Sequence, residues 1–290
     1  MAFLQIEAVS KYFPGSNGNG SVCVFRDVNF RIERGEFVTM VGHSGCGKTT
    51  LLNVIAGFET ANDGGIILDG KEVAKPGLDR MVVFQNFSLM PWMTVQGNIR
   101  IAVRAAYPNW PRERVAEYVQ QYIDMVGLTG AEQKRPAALS GGMRQRVGLA
   151  RAFAVQPKVL LLDEPFAQID ALTRGAIQEE LVRMWTATKN TVFMVTHDVD
   201  EAILLSDRIA LMTNGPEARL AEIVEVPIPR PRSRETLIER PEYSRIRRHV
   251  LDFLIERSRK VQEAASVTAK QSAIGMRPKL AAEVLFRKQK

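Results

Sequence analysis

The sequence has no apolar run long enough to cross a membrane, only two cysteines, and no internal repeat or low-complexity tract. Its longest apolar runs, such as Val159 to Leu162, are far shorter than the roughly 18 residues that a membrane-spanning helix needs. The first twenty residues also lack the basic start and apolar stretch of a secretory signal. With Cys23 and Cys46 as the only cysteines, we expect free thiols in a reducing cytoplasm and a chain that does not itself span a bilayer.

The composition is that of a globular protein. With 290 residues, 46% hydrophobic and 24% charged, the chain is one domain or one domain with an extension, and collagen-like, coiled-coil and wholly disordered chains are excluded. The net charge of +7 is unevenly distributed, because residues 227–290 carry 16 Lys and Arg against 7 Asp and Glu. We interpret this basic end as a solvated or lipid-facing extension rather than a nucleic-acid site.

The spacing of apolar residues divides the chain into a β-rich start, a helical insertion and a second series of strands. Residues 3–85 are typical of short strands broken by turns, whereas apolar residues in 93–154 recur at intervals of three and four. The continuous apolar runs at 158–162 and 191–195 indicate strands buried on both faces of a parallel sheet. The clearest helical stripe comprises Val115, Val119, Tyr122, Ile123 and Val126.

Three prolines within five residues, Pro227, Pro229 and Pro231, predict an extended linker that cannot continue a helix. We therefore place one domain over residues 1–226 and a Pro-rich linker with a basic helical extension over residues 227–290. A helical stripe in that extension comprises Tyr243, Ile246, Val250, Phe253 and Leu254.

The strongest motif follows the apolar run 37–41 and precedes a helix-like segment, which is the context of a phosphate-binding loop. It reads Gly42-His43-Ser44-Gly45-Cys46-Gly47-Lys48-Thr49-Thr50. In such a loop the glycines let backbone N–H groups surround the phosphates, Lys48 reaches the terminal phosphates, and the Thr49 hydroxyl is a ligand of Mg²⁺. The alternative is a glycine-rich turn with a chance lysine, but spacing and context together favour a nucleotide site.

Two acids follow a buried strand in Val159-Leu160-Leu161-Leu162-Asp163-Glu164-Pro165. Asp163 is the candidate second ligand of Mg²⁺, held through water, and Glu164 is placed to polarise the attacking water. The alternative is that both acids only begin a turn before Pro165. The phosphate-loop motif elsewhere in the chain favours the catalytic interpretation.

A second anion-binding turn lies in Leu139-Ser140-Gly141-Gly142-Met143-Arg144-Gln145-Arg146, where Ser-Gly-Gly opens a helix 23 residues before Asp163. One nucleotide bound at Lys48 has no obvious need of this turn. It has a use if it serves a nucleotide held by another copy of the chain.

With these motifs in this order, residues 4 to about 220 resemble the ATP-binding subunits of ABC transporters. The resemblance implies an α/β fold in which a phosphate-loop ATPase core carries an antiparallel β subdomain, an α-helical subdomain at about 86–154, and here a C-terminal extension. It further implies an ATPase that uses ATP and Mg²⁺. Two subunits would hold two nucleotides head to tail, each between the phosphate loop of one chain and the Ser140 turn of the other.

The resemblance also assigns roles to single residues. Gln85 is similar to the glutamine that senses Mg²⁺ and the membrane partner, Asp170 to the aspartate that communicates across the dimer, and His197 to the switch histidine at the terminal phosphate. Phe13 is similar to the aromatic residue that stacks on adenine, with Tyr12 as the runner-up. The family usually reads Ser-Ala-Leu-Asp where this chain has Ala167-Gln168-Ile169-Asp170, so contact across the dimer can differ and a non-identical partner is favoured.

The predicted site falls into three sets. Predicted catalytic residues are Lys48, Gln85, Glu164 and His197, and predicted metal ligands are Thr49, Gln85 and Asp163. The predicted nucleotide-binding residues are Phe13, Gly42, His43, Ser44, Gly45, Cys46, Gly47, Lys48, Thr49, Thr50, Ser140, Gly141, Gly142, Gln145 and Asp170.

Several segments, such as Leu211-Met212-Thr213-Asn214-Gly215-Pro216, are similar to the nitrate, bicarbonate and sulfonate importer branch. Within this branch they are most like bacterial nitrate importers, with bicarbonate or cyanate importers close behind. The implied partners are a second ATPase subunit, identical or homologous, a transmembrane permease, and a periplasmic or lipid-anchored substrate-binding protein. The implied location is the cytoplasmic face of the inner membrane, and residues 86–98 are either the docking surface for the permease or the core of the helical insertion.

Two other classes compete with this interpretation. A soluble ABC-type ATPase acting on nucleic acid or ribosomes would fit the basic end, but such proteins generally have two cassettes or a long coiled-coil insertion, for which residues 86–154 are too short. A small-molecule kinase would share the phosphate loop but has no use for the turn at Ser140. We therefore expect no nucleic-acid partner.

Overall fold

The computed structural model describes residues 2–15 and 20–256 and contains two β-sheets. The basic end of the chain from residue 257 onward lies outside the described residues. One sheet is antiparallel in the order β2-β1-β4-β5 and comprises β1 (Leu4–Pro14), β2 (Ser21–Ile32), β4 (Asp63–Leu68) and β5 (Lys71–Glu72). The other has the order β10-β9-β3-β8-β7-β6 and comprises β3 (Phe37–Val41), β6 (Arg80–Val83), β7 (Val159–Asp163), β8 (Thr191–Thr196), β9 (Arg208–Met212) and β10 (Leu220–Glu225).

The helices surround the second sheet. They are α1 (Lys48–Ala56), α2 (Val95–Ala106), α3 (Arg112–Met125), α4 (Gly141–Phe153), α5 (Ala171–Thr188), α6 (Val199–Leu205) and α7 (Arg234–Ile238), followed by a helical stretch over residues 241–256 that is called α8 below. None of the helices within the described ranges is long and apolar enough to span a membrane. The combination is the α/β fold predicted from the sequence.

Side chains of the six-stranded sheet alternate between two cores. On β7, Leu160 and Leu162 pack with the helices α2 to α6, whereas Val159 and Leu161 pack with α1 and the antiparallel sheet. Strands β3, β6, β7, β8 and β9 are parallel, and only β10 is antiparallel to its neighbour. The prediction of strands buried on both faces is therefore confirmed. Because parallel strands end at one edge of a sheet, the loops after β3, β6, β7 and β8 meet there.

The helical insertion consists of α2, α3 and α4. The predicted stripe on α3 is buried in the core that also covers the six-stranded sheet, and the next apolar residue of the stripe, Val126, caps the helix and is buried with it. Thr94 caps the start of α2 by accepting a hydrogen bond from the Gly97 N–H, and Ser140 caps α4 in the same way from the Met143 N–H. These caps set where two of the insertion's helices begin.

The Pro-rich segment after β10 is neither helix nor strand and is held against the domain. Ile228 is buried, and the Arg232 guanidinium donates hydrogen bonds to the carbonyl oxygens of Ile203, Ser206 and Val226 at 2.6–3.0 Å. Burial lowers the pKa of Arg232 to about 10. The segment that the prolines predict as a linker is thus fastened to α6 and the end of β10.

Candidate functional site

The phosphate loop connects the end of β3 to the start of α1, and its glycines are required by close packing. Gly47 has φ of +96°, and a Cβ there would lie 2.7 Å from Val24 Cγ1. A Cβ on Gly42 would lie 3.0 Å from the Met212 carbonyl oxygen. The loop therefore folds tightly against β2 and β9.

Lys48 is buried at the first position of α1 and is held by the loop itself. Its Nζ donates to the carbonyl oxygens of Gly42 at 2.7 Å and His43 at 2.9 Å. The third donor of the ammonium points to Cys46 Sγ at 3.8 Å, a weak acceptor that a phosphate oxygen can replace. Such a preset cation at a helix N-terminus is a binding site for anions.

Cys46 lies beside Lys48 inside the loop. It is almost completely buried, and burial raises the pKa of its thiol, although the nearby Lys48 opposes the shift. A buried thiol of this kind is unreactive at neutral pH. The side chain therefore acts as a small packing group.

The candidate metal ligands Thr49 and Asp163 are in direct contact. Thr49 Oγ1 donates to Asp163 Oδ1 at 2.8 Å. Asp163 is buried at the end of β7, and burial raises the pKa of its carboxyl, against the effect of the Thr49 hydrogen bond. A hydroxyl and a carboxylate oxygen at this distance fit Mg²⁺, whose remaining ligands would be water and phosphate oxygens.

Glu164 and His197 form a pair at the same edge of the sheet. Glu164 has the left-handed φ of +43°, and its N–H donates to the Val195 carbonyl oxygen at 3.0 Å. This rare backbone conformation turns the side chain toward His197, whose Nδ1 lies 3.2 Å from Glu164 Oε2. The structure thus brings together the two residues predicted to act on the attacking water and the terminal phosphate.

The turn at Ser140 is shaped by its contact with α5 and the loop before it. A Cβ on Gly142 would lie 2.5 Å from Thr173 Cγ2, and one on Gly141 would lie 3.0 Å from the Gln168 carbonyl oxygen. Both glycines are therefore needed to pack α4 against the segment that carries Asp170. The first N–H groups of a helix have no intrahelical acceptor, so this end of α4 can bind an anion.

Comparison with known proteins identifies the family of this chain. A family model described as ABC transporter matches residues 25–167. The nitrate import ATP-binding protein NrtD of Synechococcus elongatus is 48% identical over 255 residues, which are 88% of this chain and 92% of that protein. This chain belongs to the ABC transporter ATP-binding family. It is an ATPase coupled to transport.

Other ABC proteins are similar to the same extent. The bicarbonate transport ATP-binding protein CmpD of Synechococcus elongatus is also 48% identical over 255 residues, 88% of this chain and 91% of that protein. The nitrate import ATP-binding protein NrtC of a Synechocystis species is 46% identical over 95% of this chain, which spans 41% of that longer protein. The dimeric structure of a bacterial ABC transporter cassette has a TM-score of 0.70 at 27% identity, covering 77% of this chain and 99% of the cassette.

The remaining predicted residues of this ABC ATPase occupy different surroundings. Gln85 is exposed just after β6, at the edge where the other site residues lie. Asp170 caps α5 by accepting from the Thr173 N–H at 2.9 Å, and hydrogen bonding by Thr173 lowers the pKa of its carboxyl. Phe13 lies on β1, is 37% exposed and pairs with Val22 of β2. Val24, two residues farther along β2, packs beside Gly47 of the phosphate loop.

Gln145 and His43 differ from the expectation of direct nucleotide contact. The Gln145 side chain is 0% exposed, so in this conformation it offers no surface to a nucleotide, and neither of its amide atoms has a hydrogen-bond partner among the described residues. The His43 ring makes a hydrogen bond to Leu254 of α8. Sequence reasoning placed both in the site by motif position, which specifies the backbone but not where these side chains point.

A buried polar network beneath His197 was not predicted. Glu201 Oε2 accepts from Thr196 Oγ1 at 2.9 Å, and Glu201 Oε1 accepts from Gln178 Nε2 at 3.1 Å. Gln178 in turn accepts from Arg234 at 2.8 Å. Burial raises the pKa of Glu201 to about 7. This network secures the end of β8, and Glu201, one of two acids in the otherwise apolar helix 199–205, is the sequence signal that could have revealed it.

Proposed function

We propose that the chain is the ATP-hydrolysing subunit of an importer and works as a pair of subunits that close around two ATP molecules. The observation that carries this proposal is the separation of two anion-binding ends in one chain. Lys48 opens α1 and Ser140 opens α4, and the second is useful only to a nucleotide bound by a partner. Hydrolysis would remove the shared terminal phosphate and so favour the open pair.

Each side chain has a defined task in this proposal. Lys48 binds the terminal phosphates, Glu164 accepts a proton from the attacking water, and His197 holds the Glu164 carboxylate while facing the phosphate. Thr49 and Asp163 would hold Mg²⁺, which neutralises phosphate charge when it is bound. The 2.8 Å bond between these two side chains supports this assignment.

We propose an apolar groove of about 550 Å³ as the docking site for the transmembrane permease. The groove lies between the end of α1 and helix α2, next to the loop that carries Gln85. Its lining includes Phe58, Leu78, Phe84, Met90 and Ile101. Phe58, Leu78 and Ile101 are exposed, and the neighbouring Trp92 is 66% exposed. Such a cluster of exposed apolar side chains is typical of a surface that binds a helix.

Ile101→Asp is expected to reduce retention of the permease by about tenfold or more, because docking would bury a carboxylate without a partner. The measurement is co-purification of the permease with a tagged ATPase subunit from detergent-solubilised membranes. Ile238→Asp is the matched control, since Ile238 is exposed on α7 away from the groove. Equal retention by the two variants would contradict the assignment of the groove.

We propose nitrate or nitrite as the cargo, with the binding protein in the periplasm or anchored to lipid, and the ATPase at the cytoplasmic face of the inner membrane. The similarity to the nitrate import protein supports this, and bicarbonate is the second candidate because the bicarbonate transport protein has the same identity. Cyanate and sulfonates are further alternatives in the same branch. The relatives include two different nitrate import ATP-binding proteins of Synechococcus elongatus, NrtD and NrtC, which favours a non-identical second subunit here.

Deletion of this chain is expected to abolish uptake of labelled nitrate and to leave uptake of labelled bicarbonate and of a sulfonate unchanged. The chain on a plasmid restores the uptake, and a Glu164→Gln version does not. If uptake of bicarbonate or of the sulfonate is lost instead of nitrate uptake, nitrate is not the cargo and the affected anion is.

A further inference from the structure

Helix α8 is fixed to the ATPase domain through both polar and apolar contacts. Tyr243 Oη and Arg247 Nε both donate to Asp200 Oδ1, at 2.9 and 2.8 Å. Ile246 and Val250 are buried in the core that covers the six-stranded sheet. Asp200 lies in the first turn of α6, three residues after His197. One end of α8 is therefore bound to the helix that follows His197 in the chain.

Farther along, α8 reaches the phosphate loop. His43 Nε2 lies 2.8 Å from the Leu254 carbonyl oxygen. A carbonyl oxygen only accepts, so Nε2 carries the proton and donates it. The backbone carbonyl of the same His43 accepts from Lys48 Nζ at 2.9 Å. A single residue thus connects α8 to the lysine that would bind the terminal phosphates.

Support of the phosphate loop matters because its backbone is rich in glycine. Gly42, Gly45 and Gly47 make up half of residues 42–47, and the last two have φ of +79° and +96°. Glycines lose more conformational freedom on ordering than other residues. A loop that is already held in the binding conformation loses less entropy when a phosphate binds.

We propose that His43 is a positioning residue for the phosphate loop and that α8 is the element that holds it, so that α8 and the nucleotide site are coupled. This rests on nucleotide binding by the loop, as proposed above. It extends the site to a part of the chain that lies beyond the residues matched by the family model. By linkage, nucleotide binding must stabilise α8 to the same extent that α8 favours nucleotide binding.

Removal of the His43 side chain is expected to weaken binding of a fluorescent ATP analogue by about threefold to tenfold, the effect of one lost hydrogen bond. His43→Gln is expected to restore most of the affinity, because its amide NH₂ can donate to the same carbonyl. In steady-state assays His43→Ala should raise KM by the same factor and leave kcat within twofold, since no reacting group is removed. A fall in kcat with unchanged KM would overturn the proposal.

The control is His249→Ala on the same helix, whose ring contacts Glu222 at 2.7 Å on β10 instead of the loop. This exposed pair contributes little to stability, so we expect unchanged ATP affinity. Thermal melting of all three variants identifies any general loss of folding. If His43→Ala and His249→Ala bind ATP as tightly as the unmodified chain, the positioning role is wrong.

Hydrogen exchange tests the reciprocal effect. Binding of a non-hydrolysable ATP analogue is expected to slow amide exchange in residues 248–256 of the unmodified chain, and His43→Ala is expected to remove this protection. Unchanged exchange in α8 while the analogue binds would overturn the coupling and leave nucleotide binding intact. Absence of any analogue binding would instead refute the proposed nucleotide site, so the two failures are distinguishable.

Discussion

Glu164→Gln is expected to lower ATP turnover by about 10²- to 10⁴-fold, the usual contribution of a positioned general base. The amide has the size of the carboxylate but cannot accept the proton of the attacking water. Its position is set by the strained backbone at Glu164 and by the 3.0 Å hydrogen bond to Val195, neither of which depends on the side-chain charge. The variant should therefore keep ATP bound and accumulate as an ATP-containing pair.

Phosphate release and size-exclusion chromatography with ATP measure these two effects. Glu179→Gln is the matched control, because Glu179 is exposed on α5 and its replacement removes the same charge away from the site. Turnover by Glu164→Gln at the rate of the control would remove Glu164 from the catalytic role. A fall in turnover without an ATP-dependent pair would leave Glu164 as the base but contradict the proposal that two subunits close around two ATP molecules.

The central part of the fold could be predicted because the relevant signals are local. The glycine and lysine spacing between an apolar run and a helix-like segment predicts a phosphate loop, and the acids at the end of β7 lie at the same edge of the parallel sheet. The contact of Thr49 with Asp163, 114 positions apart, follows from that edge. The distance between Thr49 Oγ1 and Asp163 Oδ1 could not be predicted, since it depends on how α1 and β7 are packed.

The role of α8 could not be predicted, for a physical reason. The spacing of Tyr243, Ile246 and Val250 shows which face of the helix is apolar, but it does not show which surface that face covers. The prolines before it predict an extended backbone and suggest a free linker. The carbonyl oxygens that bind Arg232 include those of Ile203 in α6, Ser206 after α6 and Val226 after β10, and no sequence pattern reveals that Arg232 donates to them.

Lys48→Ala is expected to weaken ATP binding by the single chain, whereas Ser140→Asp is expected to prevent two chains from closing around ATP. Lys48→Ala loses the ammonium that the loop orients, so ATP affinity of the single chain should fall about 10- to 100-fold, the effect of a charge-assisted bond. Ser140→Asp should bind ATP normally. It should not form the ATP-dependent pair in the Glu164→Gln background, because its carboxylate would face the phosphates held by the partner.

Ser140→Asp is the sharper variant because it leaves the local structure intact. Ser140 caps α4 by accepting from the Met143 N–H at 3.2 Å, and aspartate is an equally good cap. Ser140→Thr keeps the cap without the charge and should pair as the parent does. Filter-binding of ATP and analytical ultracentrifugation with ATP measure the two steps. Pair formation by Ser140→Asp would mean that this helix end does not face a phosphate of the partner. That result would contradict closure of two subunits around two ATP molecules, but not nucleotide binding by the phosphate loop.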